Sequence, residues 1–250
     1  MKKKIAALSM AACMAASATA CGGSKPAETT AAATEAETTA AESAAEESSA
    51  EETKAAADIE TVTPGKLTVA TSPDFAPYEF YAIGEDGTPK LAGFDMDLAQ
   101  YIADYLGLEL EVVTVDFDGV ISELQTKSVD LGMAGLSPDE KRMGIMDFSD
   151  LYYMGGQSLV TVKDNAEKYN SFEAINKPDV SVGAQVGSIQ MDLANENSPE
   201  ADIVGLPKVT DIISELLTGK MDAAYIETDV AKSYQKNYPE LTLVMDVPYD

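Results

Sequence analysis

The residues able to do chemistry in this sequence are few. It has no His, no Trp and only 2 Cys. Without His there is no Ser-His-Asp or Cys-His nucleophile and no His-ligated zinc. A phosphate loop of the GxxxxGK[ST] type is also missing, so the chain is not an ATP-driven motor. What remains is a handful of charged and hydrogen-bonding residues set beside glycines. Arg142 follows Gly135-Leu136-Ser137, and a guanidinium offers two parallel donors and cannot deprotonate. Gly187-Ser188-Ile189 is a Gly-led turn into a helix, where free backbone N–H groups can meet an anion. Glu227 follows the apolar run Ala224-Tyr225-Ile226, and Phe75, Tyr78 and Phe117 are aromatic. Each has a plain reading as well: a solvated arginine, a helix cap, an acid at a helix start, aromatic core.

The elements that must position these residues alternate. Lys66 to Ala70 predicts a strand. Phe94, Leu98, Tyr101, Ile102, Tyr105 and Leu106 share one helical face, with Gly107 as C-cap. Leu108, Leu110 and Val112 alternate as a strand; Val120, Ile121 and Leu124 make a short helix face; Val129 to Ala134 predicts a strand. Gln157 to Val162 and Val180 to Ala184 predict strands, and a helix starts near Ile189. Ile203 and Val204 sit in a strand. Val209, Ile212, Ile213, Leu216 and Leu217 make an amphipathic helix. Ala223 to Ile226 is a strand, Val230 to Tyr234 a helix, and Leu241 to Val244 a last strand. Such alternation implies parallel sheets covered by helices. Leu124-Gln125-Thr126-Lys127-Ser128-Val129-Asp130 is echoed by Leu216-Leu217-Thr218-Gly219-Lys220-Met221-Asp222. Two similar α/β halves follow from that echo. Ligands of open α/β sheets sit at the C-terminal strand ends, so the expected site is the cleft between the halves.

Charge divides the 250 residues further. Formal net charge is −26, which excludes phosphate-driven binding of nucleic acid. Residues 1–23 carry +3, residues 24–60 carry −8 and the rest carries −21. Lys2 to Lys4 and the apolar run Ile5 to Ala20 read as an export signal over 1–20, too short for a membrane span. Ala18-Thr19-Ala20-Cys21 resembles a bacterial lipoprotein cleavage site, whose Cys is acylated. Ala18 stands where that pattern usually has Leu, and plain secretion with cleavage at Ala20 is the alternative. Acyl chains would hold Cys21 at a membrane, at about 0.8 kcal/mol per buried methylene. Cys13 lies in the signal, which leaves the folded body no thiol. Residues 21–60, nearly all Ala, Glu, Thr and Ser, read as a disordered acidic tether. The body then divides into lobe 1 over 61–153 and lobe 2 over 154–250.

Several stretches, in order, resemble the solute-binding proteins of polar amino-acid ABC transporters. They are Ala70-Thr71-Ser72-Pro73-Asp74-Phe75-Ala76-Pro77-Tyr78-Glu79-Phe80, Gly93-Phe94-Asp95-Met96-Asp97-Leu98-Ala99 and Asp116-Phe117-Asp118-Gly119. Val129-Asp130-Leu131, Ala134-Gly135-Leu136-Ser137 through Arg142, and Met146-Asp147-Phe148-Ser149-Asp150-Leu151-Tyr152-Tyr153 continue the series. The resemblance implies a two-lobed α/β Venus-flytrap fold, the type II periplasmic-binding-protein fold, with a mostly parallel sheet flanked by helices in each lobe. Relatives continue past the segment like Asp246-Val247-Pro248-Tyr249-Asp250 with a strand returning to the first lobe. The expectation is therefore a fragment, because losing that strand would expose a sheet edge.

A free amino acid needs a cation and N–H donors for its carboxylate, and an anion and acceptors for its ammonium. The resemblance gives Arg142 the carboxylate. Ser137 and the Gly135 carbonyl fall to the ammonium. Asp139 stands where relatives often have Thr; it can cap the helix of Arg142 and is expected to point away from a bound carboxylate. Gly187, Ser188 and Ile189 replace Gly-Thr-Thr, so the contact is expected from the Ile189 N–H. Glu227 replaces the Asp that pairs with the ammonium. Phe75 and Phe117 match an aromatic sandwich, with Tyr78 as a pocket wall. Ser72, where relatives that bind cationic side chains carry Asp, and Gln185 are neutral. They point to a glutamine-like ligand, while Asp74 and Asp118 keep a basic one open.

The implied function is capture of a polar amino acid outside the cytoplasm and delivery to an ABC permease in the membrane. The protein would be a lipid-anchored monomer at the extracytoplasmic face, periplasmic or at the cell surface, with no enzymatic activity, no cofactor, no metal and no nucleic-acid partner. The alternatives are a cyclohexadienyl (prephenate or arogenate) dehydratase on the same fold, with Glu227 recruited as acid, and a sensor domain.

Overall fold

The computed structural model describes residues 59–249. The signal segment, Cys21 and the acidic tether lie outside the described residues. Eleven strands and seven α-helices follow in chain order. They are β1 (Lys66–Thr71), β2 (Asp74–Phe75), β3 (Glu79–Ile83), β4 (Pro89–Ala92), α1 (Phe94–Leu106), β5 (Glu109–Thr114), α2 (Phe117–Gln125), β6 (Leu131–Gly132) and α3 (Glu140–Met143). Then come β7 (Gln157–Val162), α4 (Phe172–Ile175), β8 (Ser181–Gln185), α5 (Ile189–Asn197), β9 (Asp202–Leu206), α6 (Val209–Leu217), β10 (Ala223–Glu227), α7 (Thr228–Asn237) and β11 (Leu241–Val247). None of the described helices is long and apolar enough to cross a membrane.

Three sheets result. One has the order β5-β1-β6, a second β11-β7-β10-β8-β9, and a small third β2-β3-β4. β1 is parallel to both neighbours. Its residues alternate between two cores. Leu67 and Val69 pack with Ala99 and Ala103 of α1, while Ala70 packs with Phe117 and Val120 of α2. That is the period of two expected of a strand covered on both faces. β10 does the same in the larger sheet. Ala224 and Ile226 face Ile212, Ile213 and Leu216 of α6, and Ala223 and Tyr225 face Leu193 and Ala194 of α5. This is the two-lobed α/β architecture expected from the sequence.

Two features differ from the expectation of parallel sheets. β8 is parallel to both β10 and β9, but β7 runs antiparallel to both β10 and β11. The larger sheet is therefore mixed, because β7 enters it without a helical crossover. The antiparallel β2-β3-β4 sheet was not anticipated at all. Its strands are short, and the turn between β3 and β4 is closed by the Gly84 amide on the Thr88 carbonyl at 2.9 Å. β6 is also only two residues, where a strand over Val129 to Ala134 was expected. Just before it, the Asp130 carboxylate accepts from the Val62 and Thr68 amides at 2.7 and 2.8 Å. That side chain takes the place of further ladder bonds.

Local signals explain the helix bounds. Gly107 closes α1 in the left-handed region at φ 67°. Gly93 opens it at φ 128°. A Cβ there would lie 2.1 Å from the Tyr78 carbonyl oxygen, so only glycine lets α1 start against Tyr78 and the first residue of β3. Gly93→Ala is expected to cost about 2 kcal/mol or more. Urea unfolding of both proteins measures this, and an unchanged midpoint would refute the packing argument.

Candidate functional site

A cavity of about 330 Å³ lies between the two larger sheets. From the first lobe it is walled by Phe75, Tyr78, Phe117, Gly135, Leu136, Ser137, Pro138 and Arg142. From the second it takes Gln157, Gln185, Ile189, Gln190, Glu227 and Tyr249, and the connecting residues Phe148 to Gly155 supply the remaining wall. The wall carries both signs of charge and several ring faces.

Arg142 is the cation. It sits in α3 with only 6% of its surface exposed. Burying a guanidinium is costly unless its donors are met. Here Nε pairs with Asp139 Oδ2 at 3.2 Å, one terminal nitrogen donates to the Ser137 carbonyl at 2.8 Å, and the other to the Gly187 carbonyl at 3.0 Å. Those contacts use one N–H on each terminal nitrogen, and each nitrogen keeps a second donor, the number a carboxylate can accept. The guanidinium carbon also lies 5.7 Å from the centre of the Phe117 ring, a cation–π distance.

Glu227 is the anion. It ends β10 and is 5% exposed. Oε2 caps α7 by accepting from the Val230 amide at 2.8 Å. Oε1 is buried with no partner from the protein. A Cβ on Gly155 would lie 2.6 Å from that oxygen, so a glycine keeps the approach to it open. Burial pushes the Glu227 carboxyl above its ordinary value, against the Val230 amide that pulls it down. A buried acceptor without a donor costs about 1–3 kcal/mol, so Oε1 is the point of the wall most in need of a cationic or hydrogen-bonding partner.

The rings of the wall pack on one another. Phe75 stacks on Tyr78 at 5.7 Å, and Tyr78 meets Tyr153 edge-on at 5.4 Å. Gly135 takes φ 58°, and a Cβ on it would meet the Phe75 ring at 3.0 Å. The Gly135 amide donates to Asp95 Oδ2 at 3.0 Å, and the Tyr152 hydroxyl to Asp95 Oδ1 at 3.0 Å. Asp95 is fully buried, and Glu79 beside it is fully buried with neither carboxyl oxygen partnered. Burial drives the Glu79 carboxyl well above its ordinary range, and the charges of Asp95 and Asp74 push the same way.

Most of the residues singled out from the sequence meet at this cavity: Phe75, Tyr78, Phe117, Gly135, Ser137, Arg142, Gln185, Ile189 and Glu227. Ser72, Asp139, Gly187 and Ser188 do not line it. Ser72 is buried, and its hydroxyl donates to Asp74 Oδ1 at 3.0 Å. Asp139 turns to the back of Arg142 and caps α3 through the Arg142 amide at 2.9 Å. Gly187 offers its carbonyl to Arg142, and Ser188 caps α5 by accepting from the Met191 amide at 3.3 Å. Sequence reasoning missed Gln157 and Gln190, buried and joined by a 2.8 Å hydrogen bond, and the wall from Phe148 to Gly155. Two glutamines at the starts of β7 and α5 were the available signal. The cavity-facing connection has no period to read. Among the described residues no group of three or more His, Cys, Asp or Glu could hold a metal ion.

Comparison with known proteins bears on this geometry. Residues 67–242 match the model of the bacterial extracellular solute-binding proteins, family 3. Over 178 residues the chain is 35% identical to the arginine-binding extracellular protein ArtP of Bacillus subtilis, covering 70% of this chain and 66% of that protein. It is 29% identical to a cyclohexadienyl dehydratase of Pseudomonas aeruginosa, covering 72% and 66%. The chain thus spans about two thirds of the length of these curated relatives. Among solved structures, the amino-acid ABC transporter substrate-binding protein AbpA of Streptococcus pneumoniae bound to L-arginine superposes with a TM-score of 0.69 at 37% identity. That match covers 72% of this chain and 75% of AbpA.

The buried acids give a pH prediction. Unfolded, Glu79 titrates near its ordinary 4.5, whereas folded it holds its proton to higher pH. The folded state then binds more protons, so the contribution of Glu79 to stability is full below about pH 4.5 and is lost as pH rises through the folded value. Glu79→Gln removes that share. Its stability is expected to fall less steeply between about pH 5 and 8 in urea titrations. An identical slope would show that Glu79 is ionised in the fold.

Proposed function

This chain belongs to family 3 of the bacterial extracellular solute-binding proteins, and we propose that it captures a free polar α-amino acid, arginine foremost, for an ABC importer. The observation that carries the reading is one cavity holding both charges of an amino acid's backbone. The two open N–H groups of Arg142 fit the carboxylate, and the unpartnered Oε1 of Glu227 fits the ammonium. Phe75 and Phe117 on the wall suit the aliphatic stem of a long side chain. Asp150, Gln157 and Gln190 add acceptors for a polar end. Arginine is placed first because ArtP is named an arginine-binding protein and AbpA was solved with L-arginine. A glutamine-like ligand is the alternative.

The cycle in this proposal is mechanical. Ligand docks on the first lobe at Arg142, Gly135 and Ser137, and closure brings Ile189 and Glu227 over it and shuts out water. We place the change of lobe between residues 153 and 157. Ser72, Gly187, Ser188 and Asp139 then act from behind the wall. The rival reading is the dehydratase activity named for the Pseudomonas relative. Buried Glu227, with its raised carboxyl, is the acid such a reaction would use.

Titration calorimetry with the twenty amino acids tests the proposal. A selective response to L-arginine or another polar amino acid is expected. Arg142→Ala and Glu227→Gln should each lose about 30-fold or more in affinity, since each leaves a buried charge of the complex unpaired. No binding, together with turnover of a cyclohexadienyl acid, would replace this function with the enzymatic one.

Acylation of Cys21 anchors the protein at the extracytoplasmic membrane face in this reading. Expressed in a bacterial host with a labelled fatty acid, the full chain should incorporate label and Cys21→Ala should not. Unlabelled wild-type protein in the culture medium would mean plain secretion.

A further inference from the structure

Asp74 belongs to β2 in the first lobe, yet its partners belong to the second. Its Oδ2 accepts from the Val209 amide, the first residue of α6. Gln185 of β8 donates to the same oxygen at 3.4 Å and to the Pro207 carbonyl at 3.1 Å. The Tyr234 hydroxyl of α7 donates to the Asp74 backbone carbonyl at 2.8 Å. Ser72 holds Oδ1 at 3.0 Å from behind. The carboxylate is buried at 8% exposure and does not line the cavity.

Helix α6 needs this contact. The first amides of a helix have no partner within it, and the residue before α6 is Lys208, whose side chain makes no cap. The cap comes instead from a residue 135 positions away in sequence, on the other lobe. Among the other contacts between the lobes, Arg142 donates to the Gly187 carbonyl at 3.0 Å and the Tyr153 hydroxyl donates to Asp229, and neither supplies a helix cap. Lys141 with Asp192 and Lys208 with Asp116 are exposed pairs at 3.1 and 3.6 Å, which contribute little in water. Asp74 alone among the carboxylates of the first lobe is buried against a helix N-terminus of the second. Its neighbour Phe75 lines the cavity and packs in one cluster with Ile212 and Ile226 of that lobe.

We propose that Asp74 is a positioning residue that holds the lobes closed over the cavity, a helix cap lent by one lobe to the other and broken at each opening. It acts on the ligand through Phe75 and the closed geometry, without touching it. Separation of the lobes would strip Val209 of its acceptor and Asp74 of three partners at once, so the effect falls on ligand release. The proposal takes its ligand from the amino-acid reading above, and the experiment separates the two.

The test compares L-arginine dissociation by stopped flow in the full-length wild type, Asp74→Ala, Val209→Pro, the double variant and Val209→Ala. Proline is tolerated at the first helical position and removes the N–H along with the valine side chain. The Lys208 backbone at φ −126°, ψ 139° suits a following proline. Val209→Ala keeps the amide and controls for the side chain. Dissociation should quicken about tenfold or more in Asp74→Ala and in Val209→Pro, as for loss of a charge-assisted bond. The double variant should be no faster than the faster single one, and Val209→Ala should be slower than Val209→Pro. Unchanged release in Asp74→Ala, or effects that multiply in the double variant, would overturn the proposal. If wild type binds no arginine, the amino-acid reading fails by itself, and small-angle scattering decides about Asp74. A wild type more compact than Asp74→Ala supports the cap, and equal radii of gyration reject it.

Discussion

A single buried guanidinium ties the parts of this molecule together. Arg142 spans the two lobes, donating to the Ser137 carbonyl on its own side and to the Gly187 carbonyl on the other. A charge so placed is tolerated only because Asp139 pairs with it and two carbonyls are aimed at it. Each of those partners makes a demand on the backbone. Asp139 must cap α3, and Gly187 must take φ 76° to turn into α5 beside Asp118. The first turns of α3 and α5 are therefore fixed by one side chain. The cavity wall between them inherits that rigidity.

The acids around the cavity oppose the arginine in an instructive way. Glu227, Asp95 and Glu79 are all buried, and burial raises each carboxyl above its ordinary value. Only Asp95 has both oxygens met, by Gly135 and Tyr152. A fold under no functional constraint would replace such groups with apolar ones at little cost. Buried acids so close to one cavity are the kind of group found where recognition or catalysis outweighs stability. The division of labour follows from partners. Asp95 is satisfied and shapes the Gly135 turn, whereas Glu227 keeps one oxygen for whatever enters.

The fold was legible in the sequence where an aliphatic period dominated, but the face read for α1 was wrong in part, since Phe94, Tyr101 and Tyr105 are exposed and Asp95, Met96, Ala99 and Ala103 are buried instead. The apolar face of α6 and the two-sided burial of β1 and β10 could be read directly. The β2-β3-β4 sheet could not, since strands of two to five residues joined by turns leave no periodic trace. The reversed direction of β7 was equally hidden, because periodicity says nothing of strand sense. At the site, residues beside glycines and caps were found, as Arg142, Gly135 and Glu227 illustrate. Ser72 does not line the cavity, and its hydroxyl is taken by Asp74, a contact set by a neighbour two positions on. Asp74 itself was read only as a nearby negative charge. Its role depends on α6 arriving from a segment 135 residues later, which no local pattern announces.

Closure and recognition place opposite demands on the same interface. In the closed arrangement the protein meets every engaged donor of Arg142 and caps α6 with Asp74, both favourable. It also buries Glu227 Oε1 without a partner, which is unfavourable by about 1–3 kcal/mol. A cation reaching Oε1 cancels that cost and leaves the favourable contacts untouched. A ligand shifts such an equilibrium only by its differential affinity for the two states. An amino acid whose ammonium meets Glu227 only when the lobes are shut has that differential affinity, and a carboxylate binding Arg142 alone has much less. Discrimination between amino acids and simple carboxylic acids would then arise in the closing step, since Arg142 meets both alike before the lobes close.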